Sequence, residues 1–297
     1  MRSFAYLESA SLDEALSQLA EYGEDARPIA GGQSLLLEMK DRARAPRYLI
    51  SLAGLSELHG LSSRGARLAV GATTSYRELG DSPPAGPYFG LGRVAADIAD
   101  LPVRSMATVG GAICQADPRF DLPVVTTALG AEFLLRSQSG DRLVPAHEFF
   151  AGQGTTVMRP DELLTSLVFP ERAADFWWAF RKFRMRSMDA AQASVAVAGR
   201  KDAAGALHNP VVVVGACTGS PTRFTQIEQL LDGAPPGAEL YTEAANLLAT
   251  LADLPARPWP FLEPGYLRHT CGVLLRRALS DTNGYGDGNG TSLSGGR

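Results

Sequence analysis

Two pairs of adjacent glycines are the residues whose type and setting best suit ligand chemistry. The first lies in Ala30-Gly31-Gly32-Gln33-Ser34, after the short apolar run "RPIA" and ahead of a helix-like segment from Ser34 to Lys40. Glycine leaves no Cβ in the way of a ligand and tolerates positive φ. Successive backbone N–H groups can then face one concavity, and the helix start adds partial positive charge. Such a turn holds a pyrophosphate without a lysine, and Ser34 can add a hydroxyl; it serves equally as an ordinary tight turn. The second pair, in Thr108-Val109-Gly110-Gly111, repeats the chemistry and is followed by "ADPRFDLP". Two such nests can grip the two phosphates of one dinucleotide from opposite sides. Asp121 is then a candidate hydrogen-bond acceptor for a ribose or a nearby backbone donor, a role compatible with being the N-cap of "LPVVTTALG".

Other chemistry is thinly supported. "GLGRVA", Gly90 to Ala95, matches the G-x-G-x-x-G/A dinucleotide fingerprint, but that fingerprint needs a strand before it. Here "SPPAGPYF" precedes it, and a helix whose glycines allow close packing is the better reading. The 3 cysteines (Cys114, Cys217, Cys271) and 4 histidines (His59, His147, His208, His269) lack ligand spacing. The cysteines read as small core residues, so no disulfide framework, zinc site or iron–sulfur cluster is expected within this chain. No serine-hydrolase, zincin or Walker motif occurs, and no catalytic or metal-ligating residue is assigned.

These residues need a scaffold. The chain has 297 residues, 45% hydrophobic and 20% charged, with net charge −4, so no basic field invites nucleic acid or an anionic membrane. The N-terminus lacks a signal-peptide core, no apolar run approaches a membrane span, and the cytoplasm is expected. Ser11 and Glu14 form an S-x-x-E capping box ahead of an apolar face of Leu12, Ala15, Leu16 and Leu19, and Gly23 is a stop. "AEFLLRSQSGDRLVP" reads as a hairpin and "DELLTSLVFP" as a strand. "FGLGRVAADIADLPVRSMATVGG" reads as a helix, a short extended piece and the glycines. "ERAAD" marks a domain boundary. "FWWAFRKFRM", "AQASVAVAGR" and "PVVVVGAC" precede the helical patterns "TRFTQIEQLLDG" and "YTEAANLLATLA". A proline-rich crossing, Pro255 to Pro264, leads to a last helix with Leu267, Cys271, Leu274 and Leu275 on one side. The segment 281–297 is glycine-rich and is expected to be disordered. Irregular mixing of helices and strands favours α+β.

Four segments, "PIAGGQSLLLEMKDR", "ATVGGAICQADPRFDLP", "HEFFAGQGTTVMRPDELLTSLVFP" and "AFRKFRMRSMDAAQASVAVA", carry a resemblance. In order and spacing the chain resembles the FAD-binding medium subunits of molybdenum hydroxylases, the xanthine dehydrogenase and carbon monoxide dehydrogenase family, to about Leu279. The resemblance implies a two-lobed PCMH-type FAD-binding domain, 1–172, with lobes of about 1–56 and 57–172. It further implies a C-terminal domain, 176–280, with a three-stranded antiparallel sheet and helices. FAD is expected between the lobes, bound non-covalently. The family's pyrophosphate turns match Ala30, Gly31, Gly32, Gln33, Ser34, Thr108, Gly110 and Gly111. By the same match Ile29, Leu35, Leu36, Ala107, Cys114, Gln115 and Asp121 line the cofactor, Leu163 and Leu164 approach the flavin ring, and Arg181 or Lys182 lies near it. Gln33 replaces a His or Thr of several members, and Gln153 replaces a frequent aromatic.

The resemblance also implies a relay. In such systems a molybdenum centre hydroxylates the substrate, and electrons pass through 2Fe–2S clusters to FAD. Those clusters demand sets of cysteine thiolates, which this chain lacks. The molybdenum cofactor and clusters are therefore expected on a large and a small partner subunit, in a dimer of heterotrimers. A flavin suits the task because it takes electrons singly and releases them singly or in pairs. The alternatives are a stand-alone flavin-dependent reductase or oxidase and a non-catalytic nucleotide-binding subunit.

Overall fold

The computed structural model describes residues 1–251, 262–281 and 284–285. The first lobe comprises β1 (Ala5–Glu8), α1 (Leu12–Tyr22), β2 (Ala26–Ile29), α2 (Leu35–Lys40) and β3 (Tyr48–Ser51). Its strands form a parallel sheet in the order β1-β3-β2. Ser11 caps α1, its Oγ accepting from Glu14 N at 3.2 Å, while the Glu14 carboxylate reaches back to Ala10 N at 2.8 Å. Leu12, Ala15, Leu16 and Leu19 are buried against Ile50 and Leu52, as their spacing requires.

The second lobe opens with β4 (Leu61–Arg64) and β5 (Arg67–Gly71). Five short helices follow: α3 (Tyr76–Asp81), α4 (Gly90–Ala96), α5 (Leu101–Met106), α6 (Val109–Gln115) and α7 (Asp121–Ala128). Next come β6 (Glu132–Ser137), β7 (Gly140–Pro145), α8 (Ala146–Phe149), the small hairpin β8 (Phe150–Gly152) and β9 (Thr155–Thr156), and β10 (Leu163–Phe169). An antiparallel sheet of order β4-β5-β10-β6-β7 results, so the last strand inserts at the centre. "LPVRSM" is helical, not extended. Pro102 falls in the first turn of α5, where a missing N–H costs nothing, and Asp100 caps it by accepting from Val103 N at 3.0 Å.

The acid that leads into β10 is structural. Glu162 has a side chain only 1% exposed and accepts from Arg142 Nε at 2.6 Å, Arg142 Nη2 at 2.9 Å and Arg159 N at 2.7 Å. Burial pushes its carboxyl up, but these donors outweigh burial and hold it below the usual range. A depressed acid contributes stability above its unfolded pKa of about 4.3 and loses it as pH falls through the folded value. Glu162→Gln should therefore cost about 1.5–3 kcal/mol at pH 7, with the difference from wild type shrinking in urea titrations below about pH 4. An undiminished difference there would contradict this assignment.

The C-terminal domain has β11 (Phe176–Phe183), β12 (Ala193–Lys201), β13 (Leu207–Gly215), β14 (Thr222–Arg223), α9 (Thr225–Leu231), α10 (Ala238–Leu251) and α11 (Pro264–Leu279). Its antiparallel sheet runs β11-β12-β13-β14, so a two-residue fourth strand extends the expected three. The period of two separates its faces. Trp178, Phe180, Ala196, Ala198 and Val213 join the core of the second lobe. Trp177, Ala179, Val195, Val197, Val212 and Val214 pack under α9, α10 and α11. Both faces are covered, so β12 reads as small and apolar from Val195 to Gly199, with Ser194 also buried.

Most of the proline-rich crossing, and the tail apart from Asp281, Gly284 and Tyr285, lie outside the described residues. Tyr285 itself is packed: its ring stacks on Trp178 with centroids 4.9 Å apart, and its N–H donates to Trp178 O at 2.7 Å. Among the described residues no helix is long and apolar enough to cross a membrane.

Candidate functional site

The first glycine pair stands where the lobes meet. β2 delivers Ile29 and Ala30 to the turn, and a Cβ on Gly31 would overlap the Met106 carbonyl oxygen and sit 3.1 Å from Ala107 Cα. Gly31 is thus required by the approach of another backbone segment. Gly32 has φ +68°, in the left-handed region that favours glycine. Beyond it α2 starts, with Leu36 N donating to Gly32 O at 3.2 Å and Glu38 N to Ser34 O at 3.1 Å. Five successive N–H groups, from Gly31 to Leu35, donate to no acceptor among the described residues, and the Ser34 hydroxyl caps nothing. These groups are half-buried, where an unmet donor is costly. A run of unmet donors at a glycine turn and helix start fits a phosphate or diphosphate.

The second pair differs in what its N–H groups do. Thr108 is the N-cap of α6, its Oγ1 accepting from Gly111 N at 3.1 Å and its carbonyl from Ala112 N at 3.1 Å. Val109 N donates to Thr74 O at 2.9 Å and Gly110 N to Ala72 O at 2.8 Å. The first-turn donors of α6 therefore already have protein acceptors, and the turn is not a second open nest. Gly110 is buried, and a Cβ there would lie 2.5 Å from Ala72 Cβ and 2.7 Å from Ala72 O. Gly111 is exposed and would meet only Thr108 Oγ1, at 2.9 Å. Gly110→Ala should cost about 1–3 kcal/mol by overpacking. Gly111→Ala should cost less, about 1 kcal/mol or below, because only the capping Thr108 hydroxyl must shift; thermal melts of the two variants check this. Equal destabilisation by both would contradict the division of roles.

Around this turn Ile29, Ala30, Leu35, Leu36 and Ala107 are half-buried. Gln115, at the end of α6, donates to Glu38 Oε1 on α2 at 2.7 Å and ties the lobes together. Cys114 is exposed, 3.6 Å from Met158 Sδ, so it is not the small core residue its composition suggested. Gly154 N donates to Ala116 O at 2.9 Å, which seats the β8–β9 hairpin, and with it exposed Gln153, against the end of α6.

Asp121 and Lys182 are brought together elsewhere. Asp121 is the first residue of α7 and not its N-cap; Phe120 takes that place, because the Asp121 carboxylate turns toward β11. There it pairs with Lys182 Nζ, which also reaches Asp97 O at 3.0 Å and Asp97 Oδ2 at 3.3 Å. Arg184 holds the other Asp97 oxygen at 2.7 Å. The pair is nearly sealed, its side chains 5% and 9% exposed. Burial pushes the Asp121 carboxyl up against the opposing pull of Lys182, and burial then Asp121 raise the neighbouring Tyr76 phenol. Arg181, one residue earlier, pairs with Asp281 and lies over the Tyr285 ring.

Leu163 and Leu164, 3% and 2% exposed, belong to two apolar cores, Leu163 to that of the first lobe and Leu164 to that of the second. "GLGRVA" is α4, with no strand before it; a Cβ on Gly92 would lie 2.5 Å from Pro83 Cβ and 2.9 Å from Leu79 O. Asp97, Met106 and Glu38 were not expected at the site. Met106 acts through its backbone, and Asp97 and Glu38 act through partners distant in sequence, so no local signal marks them.

The chain matches the family model "FAD binding domain in molybdopterin dehydrogenase" over residues 2–172 and "CO dehydrogenase flavoprotein C-terminal domain" over residues 178–282. It is similar to the glyceraldehyde dehydrogenase medium chain of Sulfolobus acidocaldarius, with 34% identity covering 85% of this chain and 89% of that one. It is also similar to the carbon monoxide dehydrogenase medium chain of Hydrogenophaga pseudoflava, with 31% identity covering 93% and 96%. The solved carbon monoxide dehydrogenase from that organism superposes with a TM-score of 0.88 at 30% identity, covering 94% of this chain and 96% of its counterpart. Quinoline 2-oxidoreductase from Pseudomonas putida 86 gives 0.85 at 27%, with the same coverage.

Proposed function

Because the chain belongs to the FAD-binding medium subunits of the molybdenum hydroxylase family, we propose that it holds FAD between its lobes as the electron-transfer subunit of an oxidoreductase. Electrons arrive from 2Fe–2S clusters of a small partner and leave to an external acceptor. The molybdenum cofactor belongs to a large partner, and substrate chemistry belongs there with it. FAD, when bound, supplies the redox chemistry; the protein binds, orients and shields it. The observation that carries this reading is the run of unmet N–H donors from Gly31 to Leu35 at the lobe junction.

In this reading Gly31 to Leu35 hold the diphosphate, with the Ser34 hydroxyl as a further donor. Ile29, Ala30, Leu36, Ala107, Thr108, Gly110, Gly111, Cys114 and Gln115 shape the walls. Asp121 and Lys182 fix the second lobe to the C-terminal domain, Leu163 and Leu164 anchor the start of β10 in the cores of the first and second lobes, and Arg181 steadies the strand that carries Lys182. FAD is released intact by acid, since attachment is non-covalent. The assembly is a dimer of heterotrimers in the cytoplasm.

The cradle is tested by ligand choice on the flavin-stripped chain. ADP shares the diphosphate and should raise the melting temperature and compete with FAD, whereas riboflavin, which has no phosphate, should bind at least tenfold more weakly than FAD. Riboflavin binding as tightly as FAD, with ADP inert, would remove the diphosphate cradle from the account.

A further inference from the structure

Away from the flavin cleft, the C-terminal core brings two thiols together. Cys217 and Cys271 are 0% exposed, and their sulfurs are 3.3 Å apart. Cys217 follows a bend at the end of β13, where Ala216 has φ +65° and Cys217 N donates to Gly215 O at 2.8 Å. Cys271 lies in the middle of α11, among Leu267, Leu274 and Leu275. Among the described residues no group of three or more His, Cys, Asp or Glu could hold a metal. The same bend touches the cofactor domain, since Ala216 N donates to Pro118 O at 2.7 Å, in the turn between α6 and α7.

We propose that Cys217 and Cys271 are an oxidisable dithiol that closes to a disulfide, stapling the β13 bend to α11. A disulfide needs a sulfur separation of about 2.05 Å, so the two sulfurs must approach by roughly 1.3 Å, within reach of side-chain rotation from their present contact. The oxidant is a peroxide. One thiol takes an oxygen atom from hydrogen peroxide, giving a sulfenic acid and water. The second thiol displaces hydroxide from that sulfur, giving the disulfide and a second water. Two electrons leave the sulfurs for the peroxide, and both thiol protons end in water.

The reaction is slow in the closed fold, because the thiolate is the nucleophile and the mutual hydrogen bond and burial push the Cys271 thiol up. Cys114 has no thiol beside it to close with. Once formed, the staple holds the bend that bears on Pro118, so oxidation stiffens the contact between the two domains.

Peptide mapping of the full flavin-loaded chain tests this. Thiols open to solvent are first blocked with N-ethylmaleimide under native conditions. The protein is treated with hydrogen peroxide, quenched with catalase, denatured and alkylated. The expected product is one linked peptide pair joining Cys217 to Cys271, two hydrogens lighter than the free peptides and released by dithiothreitol. The melting temperature should rise with the link and fall back on reduction, a shift absent from Cys217→Ser. The proposal is overturned if both thiols remain fully alkylatable after exposure that converts the exposed Met185 and Met188 to sulfoxides, or if they oxidise separately without linking. The wild-type map decides the matter even if the serine variant fails to fold.

Discussion

Gly31→Val is expected to give a chain that retains no flavin and melts well below wild type. The valine Cβ would overlap the Met106 carbonyl oxygen, and Met106 closes α5 directly before the Ala107-Thr108 entry to α6. Backbone atoms cannot rotate aside as a side-chain terminus does, so the two lobes must separate. Separation also breaks the Gln115–Glu38 bond and withdraws the Gly31–Leu35 donors from the facing wall. Overpacking a core typically costs about 1–3 kcal/mol, and a backbone clash at a lobe junction belongs at or above the top of that range. Flavin absorbance after gel filtration, beside a thermal melt, checks the expectation. A well-folded Gly31→Val protein carrying a full complement of flavin would show that the junction is not the binding site.

Lys182→Met should be the most costly single change outside the cleft. It leaves the Asp121 carboxylate buried without its cation, and breaking such a pair from one side costs about 3–5 kcal/mol. The sign with pH follows from Asp121 being raised by burial. Below its unfolded value of about 3.9 the carboxyl is protonated in both states and carries no penalty. As pH rises, the unfolded chain ionises first, and the fold loses stability until the folded pKa is passed. Removing Lys182 raises that folded value further, so the deficit of Lys182→Met relative to wild type should be small near pH 4 and large at pH 8. Adding Asp121→Asn should restore much of the loss at pH 8, since a neutral amide is cheaper to bury. Urea midpoints of wild type, Lys182→Met and the double variant at both pH values form the test. A pH-independent deficit, or no rescue by Asp121→Asn, would show that the pair is not what joins the domains.

Much of the fold was legible where neighbours in sequence are neighbours in space. The Ser11–Glu14 box and the spacing of Leu12, Ala15, Leu16 and Leu19 define α1, and the Ser-Gly-Asp turn defines the β6–β7 hairpin. The glycines at 31 and 32 were legible as a tight approach, but not what approaches: the Met106 backbone, set by tertiary packing alone. For the same reason the Asp121–Lys182 pair and the Cys217–Cys271 contact, separated by 61 and 54 residues, left no periodic trace. Helix α5 was hidden by Pro102, which punctuates a sequence yet is tolerated in a first turn. The two glycine pairs look alike as strings and differ in the fold, because the neighbouring carbonyls of Ala72 and Thr74 take the donors of the second.

As proposed, this chain is a flavin relay that depends on partner subunits for substrate. Flavin and metal analysis of the purified chain, joined to anaerobic reduction and set beside the complex co-purified with its partners, tests that most directly. The isolated chain should carry one FAD, no iron and no molybdenum. Its flavin should bleach with dithionite and recover with an artificial acceptor, while aldehydes and heteroaromatic compounds leave it oxidised. In the complex, the substrate of the large subunit should bleach the same flavin. Stoichiometric iron in the isolated chain, or substrate turnover by it alone, would show that it is not a relay subunit.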